Sequence, residues 1–279
     1  MKYFEAHKFG GSPLADSYGV KTFVDRLTYN VRTPAIILVS AFKNMTNLLE
    51  HLCLYIHAGE KERAEEKKDE LLKFHLAMAY NLFPSQGKIF ERIVSIIDTI
   101  CIEKSLGENY STLCGRIMGL GEDLSSVIIS EYLKFYGVEN ELINSRDFIV
   151  TDTSSNSNII WGSSKEKIVN FFNVLSTPVV IMQGFVGRDP LGRASILKRE
   201  DSDLSAVVVS IALDANLFFW KKRAVSKNFG EISFRQFVMM EAEKEKLLSD
   251  GAIKVIQGSK KSFMVINFDQ PEEKTFVHF

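Results

Sequence analysis

The sequence predicts an α/β fold, a three-layer sandwich in which helices cover both faces of a mostly parallel central sheet. Two near-continuous apolar runs, Pro34–Ala41 and Pro178–Met182, are typical of strands buried on both faces of a parallel sheet. Segments of helical periodicity alternate with such runs, which favours parallel strands joined by helical crossovers. We expect one domain over residues 1–279, with a helical excursion at about 44–110.

The N-terminal half begins with a strand, a glycine turn and a helix. Lys2–Phe9 is the first predicted strand, and the helix extends from Ser17 to about Tyr29. After the second strand, long helical patterns fill the chain from Asn44 to Phe135. Helix-breaking residues interrupt these patterns near Gly59, Pro84 and Gly107.

The C-terminal half continues the alternation of strands and helices. Further strands are predicted at Val138–Asn144, Pro178–Met182 and Asn216–Trp220. Helices are predicted at Lys165–Leu175, Asp201–Leu213 and Phe234–Leu248. The tail from Ile253 to Phe279 carries three strand-like runs, KVIQ, FMVINF and TFVHF.

Composition and charge exclude several classes of protein. The 34 lysines and arginines against 35 acidic residues leave a formal net charge of −1, so we expect no nucleic acid and no anionic membrane as partner. No apolar run approaches the about 20 residues that a membrane-spanning helix needs. No apolar segment typical of a secretory signal follows the N-terminus, and we therefore expect a cytoplasmic protein.

The three cysteines are predicted to be small buried side chains. Cys53, Cys101 and Cys114 are odd in number, widely spaced and free of any C-x-x-C pair. Five scattered histidines do not complete a zinc site with them. We expect neither a disulfide framework nor a metal ion bound by the protein alone.

Ligands of open α/β sheets bind outside the carboxyl ends of the strands, and small residues follow the first strand here. The strand ends near Lys8, and the chain continues into the turn Gly10-Gly11-Ser12. Glycines in such a turn let a phosphate approach backbone N–H groups, and the lysine adds positive charge. A plain strand–turn–helix corner would explain the same glycines. Glu122 begins an apolar helix and can pair with a ligand amine, although stabilisation of the helix dipole is the alternative.

Five motifs occur in the order and spacing of one known family. They are K-F-G-G-S at 8–12, V-S-A followed by T-N-L-L at 39–49, G-E-x-x-S-S at 121–126, Q-G-F-x-G before G-R at 183–193, and R-x-x-S-D at 199–203. Together they resemble the catalytic domain of aspartokinases, in the amino acid kinase family, over roughly residues 2–235. The resemblance implies an amino-acid-kinase-like fold and transfer of the γ-phosphoryl group of ATP to the side-chain carboxylate of L-aspartate. ATP and Mg²⁺ are then the expected cofactors of an active enzyme.

The resemblance also implies roles for individual residues. Lys8 would stabilise the transferring phosphoryl group, and Asp203 would position the lysine and polar groups on the phosphate side. The amino-acid pocket would be formed by Thr46, Glu122, Phe185, Arg199 and Ser202. The nucleotide would be bound by Gly10, Gly11, Ser12, Ser40, Lys221 and Lys222. Family members commonly form homodimers, so a homodimer is a further expectation.

One loop departs from the family pattern on the nucleotide side. The family sequence G-R-G-G-S-D is Lys198–Asp203 in this chain, and all three glycines are replaced. Glu200 and Asp201 place two carboxylates where the backbone should approach a triphosphate, which predicts repulsion. A metal ion bridging these carboxylates to the phosphates would restore the geometry.

The strand end at Trp220 and the segment after it also depart. Trp220 is followed by Lys221-Lys222-Arg223 in place of the family's T-D-V, and these cations would either attract phosphates or form a solvated strand end. The family segment that contains D-P-R and G-A-K-V-L-H-P is expected to be shortened or missing between Ser226 and Ile253. Regulatory ACT domains are not expected in the short tail.

Two hypotheses of different class follow from these departures. In the first, the chain is a minimal aspartokinase with an altered ATP site and weak turnover. In the second, it is a catalytically inactive pseudokinase that has lost the ATP site and binds an amino acid or a partner. Both predict the same fold, so nucleotide binding is the property that separates them.

Overall fold

A mostly parallel sheet of eight strands forms the centre of the described structure. This computed structural model describes residues 4–31, 34–85, 87–152, 157–198, 201–223, 225, 230–243 and 246–279. The strands are β1 (Glu5–Phe9), β2 (Ala35–Val39), β3 (Glu141–Ile143), β4 (Val179–Gln183), β5 (Val186–Arg188), β6 (Ala194–Ile196), β7 (Asn216–Lys221), β8 (Glu231–Ser233), β9 (Phe263–Asn267) and β10 (Lys274–His278). The order in the sheet is β3-β4-β2-β1-β7-β9-β10-β8, while β5 and β6 form a separate antiparallel pair. From β3 to β9 every pairing is parallel, and β10 is antiparallel to β9.

Helices flank this sheet in two groups. They are α1 (Ser17–Asn30), α2 (Met45–Ala58), α3 (Lys61–Leu82), α4 (Gly87–Asp98), α5 (Ile102–Ser105), α6 (Tyr110–Ile117), α7 (Leu120–Phe135), α8 (Trp161–Val174), α9 (Ser202–Ala212), α10 (Phe234–Glu243) and α11 (Asp250–Ser259). In one group α7 packs on β2, β3 and β4 and contacts α2 and α4; in the other α9 packs on β1, β2 and β7 and contacts α8 and α11. The predicted α/β fold class with a mostly parallel sheet is confirmed.

The core lies along the central strands and α7. Every residue of β1, β2 and β4 is buried, as the apolar runs predicted. Helix α7 is buried on almost all sides, so its polar side chains need internal partners. Ser126 Oγ accepts a hydrogen bond from Gln183 Nε2 (2.9 Å), and Ser130 Oγ donates one to Asn140 Oδ1 (2.7 Å). These bonds fix α7, whose first turn carries Glu122, against the end of the sheet.

The helix predicted over Phe234–Leu248 is wrong beyond Glu243, where α10 ends. Glu241 Oε2 accepts hydrogen bonds from the backbone N–H groups of Leu247 (2.6 Å) and Leu248 (3.2 Å). A carboxylate that takes these donors competes with helical hydrogen bonding, and the chain turns at this point.

The KVIQ run predicted as strand-like is also wrong, because it lies within α11. Ser249 Oγ accepts a hydrogen bond from the N–H of Ala252 (3.2 Å) and caps this helix. Ala252 and Ile256, four residues apart, are its buried residues. Capping and one-sided burial outweigh the strand preference of valine and isoleucine.

Smaller differences concern short elements and one cysteine. Helix α8 begins at Trp161, four residues before the predicted Lys165, and the three-residue strands β5, β6 and β8 were not predicted. Cys53 and Cys114 are buried as expected, but Cys101 is exposed because it lies in the turn before α5. Within the described part of the chain, no helix combines the length and the apolar character needed to cross a membrane.

Candidate functional site

A cavity of about 1310 Å³ opens where β1, β2, β4 and β7 end. Segments directly after these strands supply much of its wall, as expected at the carboxyl edge of a parallel sheet. The wall brings together the predicted residues Lys8, Gly10, Gly11, Ser12, Ser40, Thr46, Glu122, Phe185, Ser202, Asp203, Lys221 and Lys222. Arg199, and Glu200 beside it, lie outside the described residues. The roles given to all these residues stay predictions.

Lys8 is the centre of the buried polar contacts in this cavity. Its side chain is fully buried, and Nζ donates to Ser40 Oγ (2.7 Å) and to the carbonyl oxygen of Phe9 (2.9 Å). Nζ also lies 3.7 Å from Asp203 Oδ1. Burial lowers the pKa of Lys8 to about 8, and the negative charge of Asp203 opposes that shift. The ammonium group therefore gains from any further anion placed beside it.

Asp203 joins Lys8 to the end of β7. Its Oδ2 lies 2.8 Å from Lys221 Nζ, while its buried Oδ1 has no hydrogen-bond partner among the described residues. Because Asp203 is in the first turn of α9, the two lysines are held by one carboxylate at a helix start. This arrangement can keep two cations close together without their mutual repulsion separating them.

Two serines connect β2 to the start of α9. Ser40 Oγ and Ser202 Oγ are 2.8 Å apart, and Ser125 Oγ of α7 donates to the carbonyl oxygen of Ser40 (2.8 Å). The end of β2 is therefore tied to both α7 and α9. Side chains carried by these elements cannot shift independently.

Glu122 is a buried carboxylate with one oxygen available. Only 2% of the residue is exposed; Oε1 accepts from the N–H of Ala41 (3.0 Å), and Oε2 has no hydrogen-bond partner in the described structure. Burial raises the pKa of Glu122 to about 8, against the opposing effect of the Ala41 N–H. A cationic donor brought to Oε2 would supply the missing partner and stabilise the ionised form.

Phe185 closes the same side of the cavity in an unusual backbone conformation. Its φ of 68° lies in the left-handed region, which non-glycine residues seldom adopt. Two hydrogen bonds hold it: its N–H donates to Ser205 Oγ (3.1 Å), and its carbonyl oxygen accepts from the N–H of Leu197 (2.8 Å). The ring is 3% exposed, so the sheet end and α9 fix its position.

The glycine turn after β1 is packed against β2. A Cβ atom at Gly11 would lie 2.7 Å from the carbonyl oxygen of Ala41, closer than a side chain permits. This close approach of the backbone explains why position 11 is a glycine, without any role for a ligand. The turn nevertheless lines the cavity, so its backbone remains available to a ligand.

Three cations lie at the end of β7 and directly after it, of which Lys222 is exposed. Lys221 pairs with Asp203 and its side chain is 16% exposed. Lys222 Nζ lies 2.8 Å from Asp269 Oδ1 and 5.1 Å from the centre of the Phe268 ring. Arg223 also lines the cavity. The strand end thus presents a set of held cations.

Asp201 lines the cavity, and a contact within the wall holds its carboxylate. The residue is buried, and its carboxylate is hydrogen-bonded to Ser249. Burial raises its pKa, and the Ser249 contact opposes that rise. A Cβ atom at Gly251 would lie 2.5 Å from both carboxylate oxygens, so the contact requires glycine there. Asp201 therefore occupies the start of α11, where unpaired N–H groups favour a negative charge.

Helix α11 was not predicted, and it contributes to the cavity wall. Ser249, Gly251, Lys254 and Val255 line the cavity. The available signal was Ser249, a residue type that favours helix N-caps, directly before this segment. Sequence reasoning missed it because the hydrophobic residues around Lys254 were interpreted as a strand.

Other wall residues carried no recognisable signal. Ser157, Asn158 and Ile159 line the cavity from the segment that precedes α8, and Trp161 does so from the first position of that helix. Their placement depends on isolated bridges such as Ser157 to Leu197, which join distant parts of the chain. No local pattern of the sequence reports such a contact.

The cavity is strongly basic although the chain is almost neutral. Its described wall contains eight cationic side chains, Lys8, Lys43, Lys198, Lys221, Lys222, Arg223, Lys246 and Lys254. It contains four carboxylates, Glu122, Asp201, Asp203 and Asp250. Against a net charge of −1 for the whole chain, this excess favours an anionic ligand. No group of three or more histidine, cysteine or acidic side chains suited to a metal ion occurs among the described residues.

Comparison with known proteins agrees with the resemblance noted in the sequence. The aspartokinase of Chlamydia muridarum is 26% identical over 223 residues, which cover 75% of this chain and 45% of that protein. The lysine-sensitive aspartokinase 3 of Escherichia coli is 25% identical over 271 residues, covering 89% of this chain and 58% of that protein. The chain thus spans about half the length of these curated relatives.

Solved structures of aspartokinases share the fold of this chain. Escherichia coli aspartokinase III in complex with aspartate and ADP aligns with a TM-score of 0.84 at 22% identity, covering 100% of this chain and 65% of that chain. The sequence model of the amino acid kinase family matches residues 6–267. By this match the chain belongs to the amino acid kinase family, and its similarity within that family is to the catalytic domain of aspartokinases.

Proposed function

We propose that this chain is an aspartate kinase that transfers the γ-phosphoryl group of ATP to the side-chain carboxylate of L-aspartate or a similar small amino acid. One observation carries the proposal: the Lys8–Asp203 pair, 3.7 Å apart, shares a cavity with the unpartnered Oε2 of Glu122. A cation suited to a phosphate and an anion suited to an ammonium group thus line one space. The similar aspartokinase III of Escherichia coli, solved in complex with aspartate and ADP, supports this pair of ligands.

The amino-acid end of the cavity is formed by Thr46, Glu122, Phe185 and Ser202, with Arg199 added by the family motif. Glu122 Oε2 accepts from the ammonium group of the substrate. Arg199 binds a substrate carboxylate through two parallel hydrogen bonds. Such fixed partners orient the side-chain carboxylate of the substrate toward Lys8.

The nucleotide end is formed by Gly10, Gly11, Ser12, Lys221 and Lys222. A carboxylate oxygen of aspartate attacks the γ-phosphorus of ATP, the bond from that phosphorus to the bridging oxygen breaks, and ADP leaves. The nucleophile is already ionised, so no general base is required. Lys8 neutralises charge on the transferring group, and Asp203 positions Lys8 and Lys221.

Mg²⁺ suits this site as a partner of the nucleotide rather than of the protein alone. Mg²⁺ usually takes one or two carboxylates together with substrate phosphates and water. Asp203 Oδ1, buried and without a hydrogen-bond donor, is the carboxylate oxygen that fits this role. The ion would neutralise phosphate charge.

A second candidate function is amino-acid binding without phosphoryl transfer. The observation that favours it is Asp201, a carboxylate at a family glycine position, buried against the start of α11 on the cavity wall. A negative charge there opposes a triphosphate. The predicted homodimer is independent of this choice and stays a prediction.

Trapping of the product tests the kinase proposal directly. The protein is incubated with ATP, Mg²⁺ and L-aspartate in hydroxylamine, which converts aspartyl phosphate to a hydroxamate. We expect hydroxamate from the wild type, strongly reduced formation by Asp203→Asn, and unchanged formation by Asp69→Asn, which removes an exposed carboxylate of α3. A folded wild type that binds aspartate but forms no hydroxamate would favour the second function.

A further inference from the structure

We propose that Arg223 binds a phosphate group at the nucleotide end of the cavity, in place of the family contacts missing after Trp220. This assignment rests on the proposed nucleotide-dependent function and adds a residue that the family motif does not contain. At the positions after Trp220 the family has T-D-V, and this chain has Lys221-Lys222-Arg223.

The position of Arg223 in the fold suits this role. It lies two residues beyond the end of β7, and β7 pairs in parallel with β1. Their carboxyl ends therefore meet at one edge, so Arg223 and the Gly10-Gly11 turn line the same cavity. Glu122, which contacts Ala41 after β2, and Phe185, which comes after β4, lie on the other side of β1 from β7. Arg223 is thus placed toward the nucleotide rather than the amino acid.

One nitrogen of the Arg223 side chain lacks an acceptor. Nη2 is buried and has no hydrogen-bond partner in the described part of the chain. A guanidinium group is always charged, and its buried N–H groups are costly when unpaired. A ligand that brings an oxygen to Nη2 would remove that cost.

Among the residues that the structure describes, neighbouring carboxylates do not supply that oxygen. Glu241 is close enough for Arg223 to lower its pKa, against the larger raising effect of burial. However, Glu241 Oε2 accepts from the N–H groups of Leu247 and Leu248. Other carboxylates of the region are paired with lysines: Asp203 with Lys221, Asp269 with Lys222 and Asp250 with Lys246.

Phosphate is the ligand chemistry that this arrangement favours. A planar guanidinium presents two parallel N–H donors that match two phosphate oxygens. The basic excess of the cavity wall attracts a group with more than one negative charge. Side-chain cations would thereby replace part of what the family glycines supply through backbone N–H groups.

Calorimetric titration tests the assignment. Wild type, Arg223→Gln, Arg223→Lys and Arg235→Gln are titrated with Mg²⁺–ADP, with adenosine and with tripolyphosphate. Arg235→Gln is the matched control, because Arg235 is an exposed arginine of α10 outside the cavity wall. We expect Arg223→Gln to weaken ADP and tripolyphosphate binding about 10- to 100-fold, to leave adenosine binding unchanged, and to differ clearly from Arg235→Gln.

The outcomes separate this assignment from the proposed function. If ADP binds wild type and Arg223→Gln equally, Arg223 is not a phosphate ligand, and the kinase proposal stands. If wild type binds tripolyphosphate in an Arg223-dependent way but not ADP, the assignment stands and the kinase proposal fails. If neither ligand binds wild type, both fail. Should Arg223→Gln not fold, Arg223→Lys retains the charge without the two-pronged donor, and weakened ADP binding by that variant supports the assignment.

Discussion

The two ends of the cavity are built in different ways. At the amino-acid end, Glu122 and Ser202 lie in the first turns of helices; Glu122 accepts a hydrogen bond from the N–H of Ala41, and Ser202 shares one with Ser40. At the nucleotide end, Lys222 and Arg223 follow β7 in a loop, and Asp201 contacts the start of α11. The described residues of the amino-acid end keep the family motif; the nucleotide end keeps the glycine turn after β1 but has charged side chains after Trp220 and at Asp201. Side chains at one end of the cavity can therefore change while the sheet that carries both ends is kept.

Lys8 belongs to both ends of the cavity, so its replacement should have the largest effect on phosphoryl transfer. We expect Lys8→Ala to reduce phosphoryl transfer about 10²- to 10³-fold, because a preorganised charge beside the transferring group is lost. Aspartate binding should change much less. Hydroxamate formation and calorimetry measure the two quantities, and Lys61→Ala, which removes an exposed lysine of α3, is the control. Equal losses in transfer and in aspartate affinity would assign Lys8 to the amino-acid end alone.

Arg199 tests the amino-acid end by itself. On the family motif, Arg199→Ala removes a bidentate contact with a substrate carboxylate, and such a loss costs about 2–5 kcal/mol in a buried site. We expect aspartate affinity to fall accordingly while ADP affinity is retained. Identical titrations of aspartate into wild type and variant would contradict the assigned pocket.

Gly251 tests the packing at the nucleotide end. Gly251→Ala places a Cβ atom 2.5 Å from the Asp201 carboxylate, and such overpacking should lower the free energy of unfolding by about 1–3 kcal/mol. Gly258→Ala in the same helix is the control, since a Cβ atom there meets nothing within 4 Å. Urea unfolding measures both variants. The cost of Gly251→Ala should disappear in an Asp201→Gly background, and a cost that persists would show that Asp201 is not its cause.

Opposite pH dependences should distinguish the two ends. Glu122, with a pKa of about 8, is mostly protonated at pH 6–7 and must ionise to pair with an ammonium group, so binding releases a proton. Aspartate affinity should therefore rise by up to about tenfold per pH unit between pH 6 and 8. Lys8, with a pKa of about 8, loses its charge above that pH, so ADP affinity should fall there. Calorimetry from pH 6 to above pH 8 is the measurement, and Glu122→Gln should abolish the rise in aspartate affinity.

Asp201→Gly should give the smallest effect. The variant removes a negative charge near the phosphates, but the Ser249 contact and the start of α11 already stabilise that charge. We therefore expect ATP affinity to increase about tenfold or less. Weaker ATP binding by Asp201→Gly would show that the carboxylate serves the nucleotide end, for example through Mg²⁺.

Most of the fold could be predicted from local patterns. The apolar run at Pro34–Ala41 is β2, and the run at Pro178–Met182 corresponds to β4, because burial on both faces demands uninterrupted apolar residues. The predictions failed in the segment from Glu243 to Ile256. There, side-chain contacts over a few residues, Leu247 N–H to Glu241 and Ala252 N–H to Ser249, set where a helix ends and the next begins, and apolar patterns do not report such contacts.

Residue type and short spacing predicted the main strands of the parallel sheet, most helices, the glycine turn after Lys8 and the ordered motifs of the cavity, but not β5, β6, β8 or α11. Tertiary structure alone decided which strand ends meet, the direction of Asp201 and the raised pKa of Glu122. Those properties depend on burial and on partners far away in the chain. Ala41 is 81 residues from the Glu122 that accepts its hydrogen bond, a separation that no local pattern can report.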